Sequence, residues 1–427
     1  MSLIILIFVL IIALILRKRQ FDTLSKRMLL AFVILWGVVL SLSTLGLFDL
    51  YTPSSFALFL LVLNVVMFSL GFCVVKTSHY SQPFSADSIC PLMEKIYRSK
   101  LFLPILIIST IVSVTFFRVV QSTFNQYGSL ADLRVDYYEN TLFGKSFLLI
   151  NNVLLEPMET LCLPVFAYMF FFKRDWRLFL LTVFLFTHAS LSGGRFGYLR
   201  IIAAVVFMGF CLISDKKTWK KRVTSTMLAA VGFFLVVGIV TAMRSGSTKM
   251  DSDSTVEALY EYGVAPVTAF DHSLKNNYVH QIGGYKYGGL TGSSILSLSY
   301  SIFNKIGVYI HQPIVDLIEL KQETYFYVSP NRAWNALYTS VLYFYLDGGI
   351  LGVILIPFIL GMIMRWLINR LYRYRTWPFI VIVSYFFHVM IRSITDFNFA
   401  TAFPLITIIV LYYLGVRSSY IKPASKV

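Results

Sequence analysis

The sequence is poor in cysteine and in charged residues. Four of its 427 residues are cysteine, and 14% are Asp, Glu, Lys or Arg. The cysteines lie within predicted spans or on the predicted inner side, so none can form a disulfide bond in the outer loop. Their spacing does not match that of zinc ligands, which excludes a structural zinc site. No internal repeat or low-complexity tract stands out either. The four cysteines are Cys73, Cys90, Cys162 and Cys211.

Long apolar runs dominate the chain instead. Hydrophobic residues make up 57% of it, and the mean hydropathy is +0.72. A bilayer core of about 30 Å needs about 20 helical residues per crossing, and runs that are continuous rather than alternating favour helices over a barrel. The sequence therefore predicts an all-α polytopic membrane protein with eleven spans. These are residues 2–16, 28–48, 56–75, 101–120, 147–172, 178–191, 197–214, 226–243, 347–364, 378–394 and 400–416.

Basic residues crowd alternate gaps between these spans. The odd-numbered gaps and the C-terminal tail hold 24 of the 37 Lys and Arg. The positive-inside rule then predicts a cytoplasmic C-terminus and an outer N-terminus in a bacterial inner membrane. The first run lacks a cleavage site and reads as a retained helix. A twelfth span, or a first segment that only lies on the membrane, would place the N-terminus on the other side and leave the rest of the predicted topology unchanged.

The net charge of +16 is expected to face anionic lipid head groups. No basic stripe with interleaved aromatics lies on a soluble domain, so we predict no nucleic-acid partner.

One hydrophilic gap is far longer than the others. Residues 1–243 are predicted to hold eight spans, 244–346 a large periplasmic loop, and 347–427 three further spans with a cytoplasmic tail. A loop of this length is functional or disordered, and its many tyrosines and its helically spaced apolar residues argue against disorder. We expect short helices on the outer membrane surface, joined by a flexible glycine-rich stretch at 283–292.

Arginines are expected at the outer ends of several spans, where positive charge is disfavoured. A guanidinium binds phosphate bidentately and stays charged, which suits it to hold a pyrophosphate at a membrane surface. Alternatively, each arginine snorkels to head groups or caps a helix C-terminus. The candidates for substrate binding are Arg195, Arg200, Arg244, Arg332 and Arg392.

Arg195 has the strongest local argument among these arginines. It lies in a Ser-Gly-Gly-Arg-Phe-Gly turn at 192–197, where amides at a helix N-terminus face outward beside the guanidinium. The alternative is a tight hairpin that carries one solvated charge.

Two carboxylates, Glu156 and Glu159, occupy the outer half of the fifth span around Pro157. Ionisable residues at such depth are costly, so they are functional candidates by default. Their three-residue spacing places them on one helix face. The alternative is an ion pair that locks this helix to a neighbouring arginine.

The long loop offers further candidates. Asp271 and His272 are adjacent, and the imidazole could take a proton from a hydroxyl. Asp347 is expected to cap the ninth span, and Arg392 and Asp396 are spaced to pair with each other. Aromatic rings that could stack on sugars are Tyr260, Tyr262, Tyr285 and Tyr287.

Short motifs resemble those of a known family. They are the Leu-Ser-Gly-Gly-Arg turn at 191–195, the stretch Asn-Arg-Ala-Trp-Asn-Ala-Leu-Tyr at 331–338, and Tyr-Leu-Asp-Gly-Gly-Ile-Leu-Gly at 345–352, in a chain whose loop is rich in tyrosine. Together with the layout of spans, they resemble the bacterial O-antigen polymerases, the Wzy-type oligosaccharide repeat unit polymerases. The resemblance implies a GT-C type inner-membrane glycosyltransferase that joins undecaprenyl-pyrophosphate-linked repeat units on the periplasmic face.

The chemistry of that reaction fits the residue types. The leaving pyrophosphate carries stable negative charge and mainly needs cations, so arginine can replace a metal; no metal or cofactor is predicted. Glu156, Glu159 and His272, beside Asp271, are the candidates for a base. The expected partners are the lipid-linked oligosaccharide, membrane lipid and a chain-length regulator.

Two other functions stay open. An O-antigen ligase would share the donor and the arginines but use lipid A core as acceptor. A flippase or transporter would favour inverted repeats, broken helices and charges along a through-path, whereas the charges here are predicted to collect at the outer mouth.

Overall fold

The structure is a computed structural model of the whole chain. It describes residues 2–17, 22–76, 86–127, 142–143, 147, 149–173, 175–191, 196–212, 252–323, 326–330, 332–334, 337–397 and 402–420. The described chain is mostly helical. Five of its helices are long and apolar enough to cross a membrane, and five shorter helices are also apolar. This agrees with a helical membrane protein.

The chain divides into two compact units. Unit 1 comprises Met1–His79, Glu257–Arg373 and Val389–Ile409, and unit 2 comprises Tyr80–Val256, Tyr374–His388 and Val410–Val427. The first part of unit 1 holds α1 (Ser2–Arg17), α2 (Thr23–Ser43) and α3 (Ser55–Val74). Unit 2 holds α4 (Ala86–Tyr97), α5 (Phe102–Tyr127), α6 (Glu156–Phe172), preceded by the π turn Asn151–Leu155, α7 (Trp176–Ser190) and α8 (Phe196–Leu212).

The long loop and the C-terminal region supply the remaining helices. They are α9 (Ser252–Lys275), α10 (Tyr278–Gln281), α11 (Ser293–Phe303), α12 (Pro313–Glu323), α13 (Ser340–Tyr374), α14 (Trp377–Arg392) and α15 (Ala402–Tyr420). Ten of the eleven predicted spans overlap one helix each. The predicted span 226–243 lies outside the described residues.

Local sequence signals begin several of these helices. Asp22 accepts a hydrogen bond from the amide of Ser25 at 2.8 Å at the start of α2, and Ser54 accepts one from Ala57 at 3.3 Å at the start of α3. Asp175 does the same for Arg177 before α7, at 2.9 Å. Each side chain satisfies an amide that has no partner within its helix.

Polar contacts join segments between the predicted spans within each unit. In unit 1, the fully buried guanidinium of Arg365 donates to the carboxylate of Asp22 at 2.7 Å, joining gaps one and nine. In unit 2, Lys173 of gap five pairs with Glu94 of gap three at 3.1 Å. On the other predicted face, the amide of Tyr51 donates to the carbonyl of Val328 in the long loop at 2.8 Å. Gaps of the same predicted side thus contact one another within each unit.

The long loop differs from the expected set of short surface helices. It begins with the 24-residue helix α9, and it contains a two-stranded antiparallel hairpin, β1 (Phe326–Ser329) and β2 (Arg332–Trp334). The rest of the described chain is helical, so this short hairpin leaves the predicted all-α class in place. The two strands contain four and three residues. Strands this short show no clear alternation of apolar and polar residues in the sequence.

The helix that contains the ninth predicted span, α13, begins at Ser340, before the predicted start of the span at 347. Gly348 and Gly349 interrupt its helical geometry, and Gly349 has φ +59° and ψ −140°, a conformation that other residues avoid. The amides of Lys286 and Tyr287 donate to the carbonyls of Leu346 and Asp347 at 3.0 and 2.9 Å. The break therefore occurs within the helix, and loop amides satisfy the carbonyls beside it.

Asp347 has a different role from the predicted cap of the ninth span. Its carboxylate accepts the amides of Leu290 and Thr291 at 2.9 and 2.8 Å, and also the hydroxyl of Thr291. The glycine-rich stretch expected to be flexible is thus hydrogen-bonded to α13 at several points.

Two glycines let α3 and α13 approach closely. A Cβ on Gly71 would lie 1.9 Å from the carbonyl oxygen of Phe358, and a Cβ on Gly361 would lie 2.2 Å from that of Phe68. Small residues at a helix crossing allow the backbones to meet where side chains would hold them apart.

Replacing Gly361 with alanine should therefore destabilise the protein by about 1 to 3 kcal/mol, because the added methyl group has no room against the α3 backbone. The midpoint of thermal unfolding in detergent measures this. Gly209 is the matched control, since a Cβ added there would meet nothing within 4 Å. Gly209→Ala should leave the midpoint unchanged or raise it, through better helix propensity. Equal effects of both changes would contradict the proposed packing.

Candidate functional site

A lysine that lies in the last turn of α12 stands at the centre of a polar cluster in unit 1. The Lys321 ammonium donates to the hydroxyl of Tyr343 at 3.0 Å. Its nitrogen also lies 4.9 Å from the centroid of the Tyr338 ring and 4.7 Å from that of the Tyr343 ring. Both are cation–π distances. Two tyrosines thus hold the ammonium in position.

A single carboxylate joins this lysine to an arginine. The hydroxyl of Tyr343 donates to Oδ1 of Asp396 at 2.7 Å, and Nη2 of Arg392 donates to Oδ2 at 3.1 Å. The amide of Phe397 also donates to Oδ1, at 2.8 Å. Lys321, Tyr338, Tyr343, Arg392 and Asp396 are called the Lys321 cluster below. With two cations and one anion, the cluster carries one surplus positive charge.

A series of packed aromatic rings connects the cluster with His272 in α9. Tyr338 packs against Phe326 of β1, with ring centroids 6.0 Å apart, and the imidazole of His272 stacks on Phe326 at 4.1 Å. The hydroxyls of Tyr338 and Tyr278 are 3.2 Å apart. Tyr338 therefore contacts both Lys321 and Phe326, and this links the cluster to His272.

Burial tunes the titration of both nitrogen bases. Burial lowers the pKa of Lys321 from 10.5 to about 8, although the charge of Asp396 opposes the shift. Burial and the nearby Lys275 lower the pKa of His272, and Asp271 opposes this in part. At neutral pH the imidazole is therefore neutral and able to accept a proton, while the ammonium is still charged. Burial also raises the pKa of Tyr338, which stays protonated.

The predicted Asp271–His272 pair does not form a dyad. The carboxylate of Asp271 is buried, accepts the hydroxyl of Ser54 and pairs with Lys275 at 2.6 Å. Nδ1 of His272 is buried without a hydrogen-bond partner among the described residues. Neighbouring residues on a helix point in different directions, so Asp271 is used to tie α9 to the start of α3.

The tyrosines predicted to stack on sugars fall into two groups. Tyr260 is buried, donates to the carbonyl of Leu42 at 2.8 Å and accepts from the amide of Leu47 at 3.2 Å, so it serves the fold. Tyr262 is half-buried. Tyr287 is 89% exposed and Tyr285 is 41% exposed. Only Tyr285 and Tyr287 among the four are open enough to receive a ring on their faces.

The predicted arginines have different surroundings. Arg392 belongs to the Lys321 cluster, and its pairing with Asp396 is confirmed. Arg332 begins β2, opposite Ser329 of β1, the strand that carries Phe326; only its backbone is described. Arg195 and Arg244 lie outside the described residues.

Arg200 lies in unit 2, paired with one of the two predicted carboxylates. Its Nη1 donates to Oε2 of Glu159 at 2.7 Å, and Glu159 is almost fully buried. This is the ion pair offered as the alternative role for Glu159. The carboxylate of Glu159 is already engaged by this partner, so it is a poor candidate for a base. Glu156, one turn earlier, is half-buried. Glu159 and Arg200 thus have each other as partners.

Sequence reasoning missed Lys321, Tyr338 and Tyr343. A signal was present, because Lys321 is one of the few basic residues outside the crowded gaps. The criterion of bidentate phosphate binding selects arginine and not lysine. The part of the chain that the structure describes brings no three His, Cys, Asp or Glu side chains together as metal ligands.

Comparisons with known proteins identify no relative. No family model, no curated protein and no solved structure matches this chain.

The lowered pKa of Lys321 predicts how stability depends on pH. The unfolded chain, with a lysine pKa of 10.5, binds more protons than the folded chain between about pH 8 and that value, so stability rises with pH over this interval. Lys321→Met should remove that rise and increase the free energy of unfolding at pH 7 by about 1 to 3 kcal/mol, because an apolar side chain then replaces the desolvated ammonium.

Unfolding midpoints at pH 7 and pH 10 in detergent measure this difference. Lys305→Met is the control, since Lys305 is exposed, and it should shift neither midpoint. A lower midpoint for Lys321→Met at pH 7 would show that the ammonium stabilises the fold.

Proposed function

We propose that this chain is a membrane glycosyltransferase that polymerises undecaprenyl-pyrophosphate-linked oligosaccharide repeat units, as in O-antigen or a related surface polysaccharide. The observation that carries the proposal is the Lys321 cluster, where Arg392 donates to the carboxylate of Asp396 and Lys321 is joined to the same carboxylate through the hydroxyl of the buried Tyr343. Its surplus charge suits an anionic ligand, and the tyrosine-rich loop around it suits sugars. The family resemblance of the motifs points to the same reaction.

The cluster's chemistry matches the needs of the leaving group. Glycosyl transfer from a lipid pyrophosphate breaks the bond between the anomeric carbon and a phosphate oxygen, and that oxygen leaves with the electron pair. Lys321 and Arg392 would stabilise its charge, and Arg332 of the same unit is proposed to hold the same diphosphate. A preorganised cation in a partly dry site acts more strongly than in water.

The acceptor half of the reaction needs a base. A hydroxyl of the incoming repeat unit forms the new bond to the anomeric carbon and loses its proton. His272 is the proposed acceptor of that proton, because burial keeps its imidazole neutral. Tyr285 and Tyr287 present exposed rings beside Gly349 and Gly288, where sugar faces can stack.

The proposed topology places this site in the periplasm. Eleven spans, a GT-C type arrangement and a cytoplasmic C-terminus are part of the proposal, supported by the alternation of basic gaps and by contacts between gaps of one predicted side. The lipid carrier and a chain-length regulator are its proposed partners.

Loss of the gene should separate polymerase from ligase. A strain lacking a polymerase attaches single repeats to lipid A core, whereas a strain lacking a ligase attaches none. A gel of surface polysaccharide from a deletion strain is the measurement, and a single-repeat band is expected. A full ladder from the deletion strain would argue against both activities.

Substitutions within the cluster test the site itself. In the deletion strain, Lys321→Met and Arg392→Met should each reduce ladder formation by at least about 100-fold, the effect of removing one preorganised charge from a transition state. Purified Arg195→Ala/Arg332→Ala protein should fail to lengthen lipid-linked repeats.

Exposed residues provide matched controls for these variants. Lys305→Met and Arg118→Met remove the same charges from exposed positions and should keep the full ladder. Protein levels in the membrane fraction must be equal across the set. A full ladder from the Lys321 and Arg392 variants would reject the cluster as the site.

A flippase or transporter is the alternative outside enzymology. The buried Glu159–Arg200 pair within apolar helices is the observation that favours it, since charges inside a membrane often mark a transport path. Purified protein that lengthens lipid-linked repeats in detergent, without two compartments, would reject that alternative.

A further inference from the structure

An arginine at the start of α7 is held in unit 2 by the end of α4. Nη1 of Arg177 donates to the carbonyl of Tyr97 at 3.0 Å, and the guanidinium carbon lies 4.4 Å from the centroid of the Tyr97 ring. The second contact is a cation–π interaction. Tyr97 is the last residue of α4, where carbonyls lack partners within the helix. Two contacts thus fix the position of the guanidinium.

Two further cations share one carboxylate beside the same ring. The Lys173 ammonium is 3.1 Å from Oε1 of Glu94 and 5.0 Å from the centroid of the Tyr97 ring. Nη2 of Arg98 is 3.4 Å from Oε2 of the same carboxylate. The hydrogen bond from Lys173 lowers the pKa of Glu94, which is therefore ionised at neutral pH. Three cations thus surround one ring and one carboxylate.

The neighbouring charges leave this region positive. Lys100 is exposed in the turn between α4 and α5, and the carboxylate of Asp175 accepts the backbone amide of Arg177 at 2.9 Å. With both included, four cations stand beside two carboxylates, so the region has a surplus of at least two positive charges. The residues called the Arg177 cluster below are Tyr97, Arg98, Lys100, Lys173 and Arg177.

Arg177 has donors left for a ligand. A guanidinium carries five N–H groups in a planar fork, and one of those of Arg177 is used on the carbonyl of Tyr97. The other four have no hydrogen-bond partner among the residues that the structure describes. The fork matches two oxygens of a phosphate group. Because the side chain is half-buried and already held at one end, it is preorganised for an anion.

Exposed apolar residues lie at the same end of α5 and α7. The side chains of Leu101, Trp176 and Phe179 are 70%, 59% and 70% exposed. Further along the two helices, the hydroxyls of Ser113 and Thr187 are 2.8 Å apart. Leu101 precedes Ser113 by twelve residues. Trp176 precedes Thr187 by eleven, so at about 1.5 Å per residue Leu101 and Trp176 lie at a similar height. Basic and apolar side chains therefore meet at one level.

We propose that the Arg177 cluster binds the head group of an anionic phospholipid of the surrounding bilayer. The phosphodiester accepts hydrogen bonds from Arg177 and Lys173, and Arg98 and Lys100 add positive charge at the rim. The acyl chains cover the exposed apolar residues of α5 and α7. The cluster belongs to the third and fifth gaps, on the predicted cytoplasmic side, so the lipid is one of the inner leaflet.

A lipid fits this surface better than a soluble anion does. A free phosphate would satisfy the cations but leave Leu101, Trp176 and Phe179 uncovered, whereas a phospholipid covers both. Tryptophan beside basic residues is typical of the level of lipid head groups. The cluster differs from an ordinary basic loop because Tyr97 and Glu94 hold its cations in place. The inference does not depend on the proposed polymerisation, whose site is assigned to other residues.

Native mass spectrometry of the full-length protein in detergent tests the proposal. The protein is titrated with phosphatidylglycerol or with phosphatidylcholine of the same acyl chains, whose choline group cancels the phosphate charge. The wild type should bind the first phosphatidylglycerol at least about tenfold more tightly, as expected for charge-assisted hydrogen bonds. Arg177→Gln should abolish most of this preference. Equal affinities for the two lipids in the wild type, or an unchanged preference in Arg177→Gln, would overturn the proposal.

Arg118→Gln is the matched control, because Arg118 is an exposed arginine in the other half of α5. It should keep the full preference for phosphatidylglycerol. An equal loss in Arg118→Gln and Arg177→Gln would show that net charge alone attracts the lipid, and would reject the site.

A second variant and a competitor keep the test decisive. Arg98→Gln/Lys100→Gln changes only exposed side chains and should reduce the preference at least about fivefold, since each basic residue near anionic lipid contributes. An unchanged preference in this double variant would reject the proposal even if Arg177→Gln does not fold. Inorganic phosphate at the lipid concentration should leave phosphatidylglycerol bound. Displacement by phosphate would show that the site takes a free anion instead of a lipid.

Discussion

Lipid offers no hydrogen-bond partner, and this constraint governs the polar residues of this chain. Charges buried among the described apolar helices are paired within their own unit. Arg365 reaches Asp22 at the start of α2, and Arg200 reaches Glu159 in α6. Even the backbone follows the rule, because loop amides take up the carbonyls beside the break in α13. The partners of the buried polar groups therefore show which segments are neighbours.

The same constraint explains what sequence could predict of the fold. Long apolar runs favour helices in lipid, and ten of the predicted spans overlap described helices. Helix ends were less accessible. The ninth span was predicted to begin at Asp347, yet Tyr343 and its neighbours continue α13 on the other side of the glycine pair. The hairpin carrying Arg332 escaped notice because three or four residues are too few to show a period of two.

Sequence chemistry selected some of the residues that meet in the structure. Arg392 and His272 were chosen on chemical type; Arg392 is a member of the Lys321 cluster, and His272 stacks on Phe326 beside it. Glu159 was chosen on its cost in a membrane, and that cost is offset by Arg200 and His188. What sequence could not reveal was convergence. Lys321 and Asp396 are far apart in the chain, and only tertiary packing brings Tyr343 between them. Adjacent residues such as Asp271 and His272, by contrast, point to different partners.

Gly348 and Gly349 divide α13 into two segments that are held in place by different contacts. Beyond Gly349 the rod is packed against α3 through glycine, so its position is determined by contacts with an apolar neighbour. Before Gly348, the short segment that carries Tyr343 is tied to loop amides and to the turn after α14. The position of the lysine–tyrosine pair is therefore determined by the loop and by the turn after α14, rather than by a helical ladder that continues from the long rod.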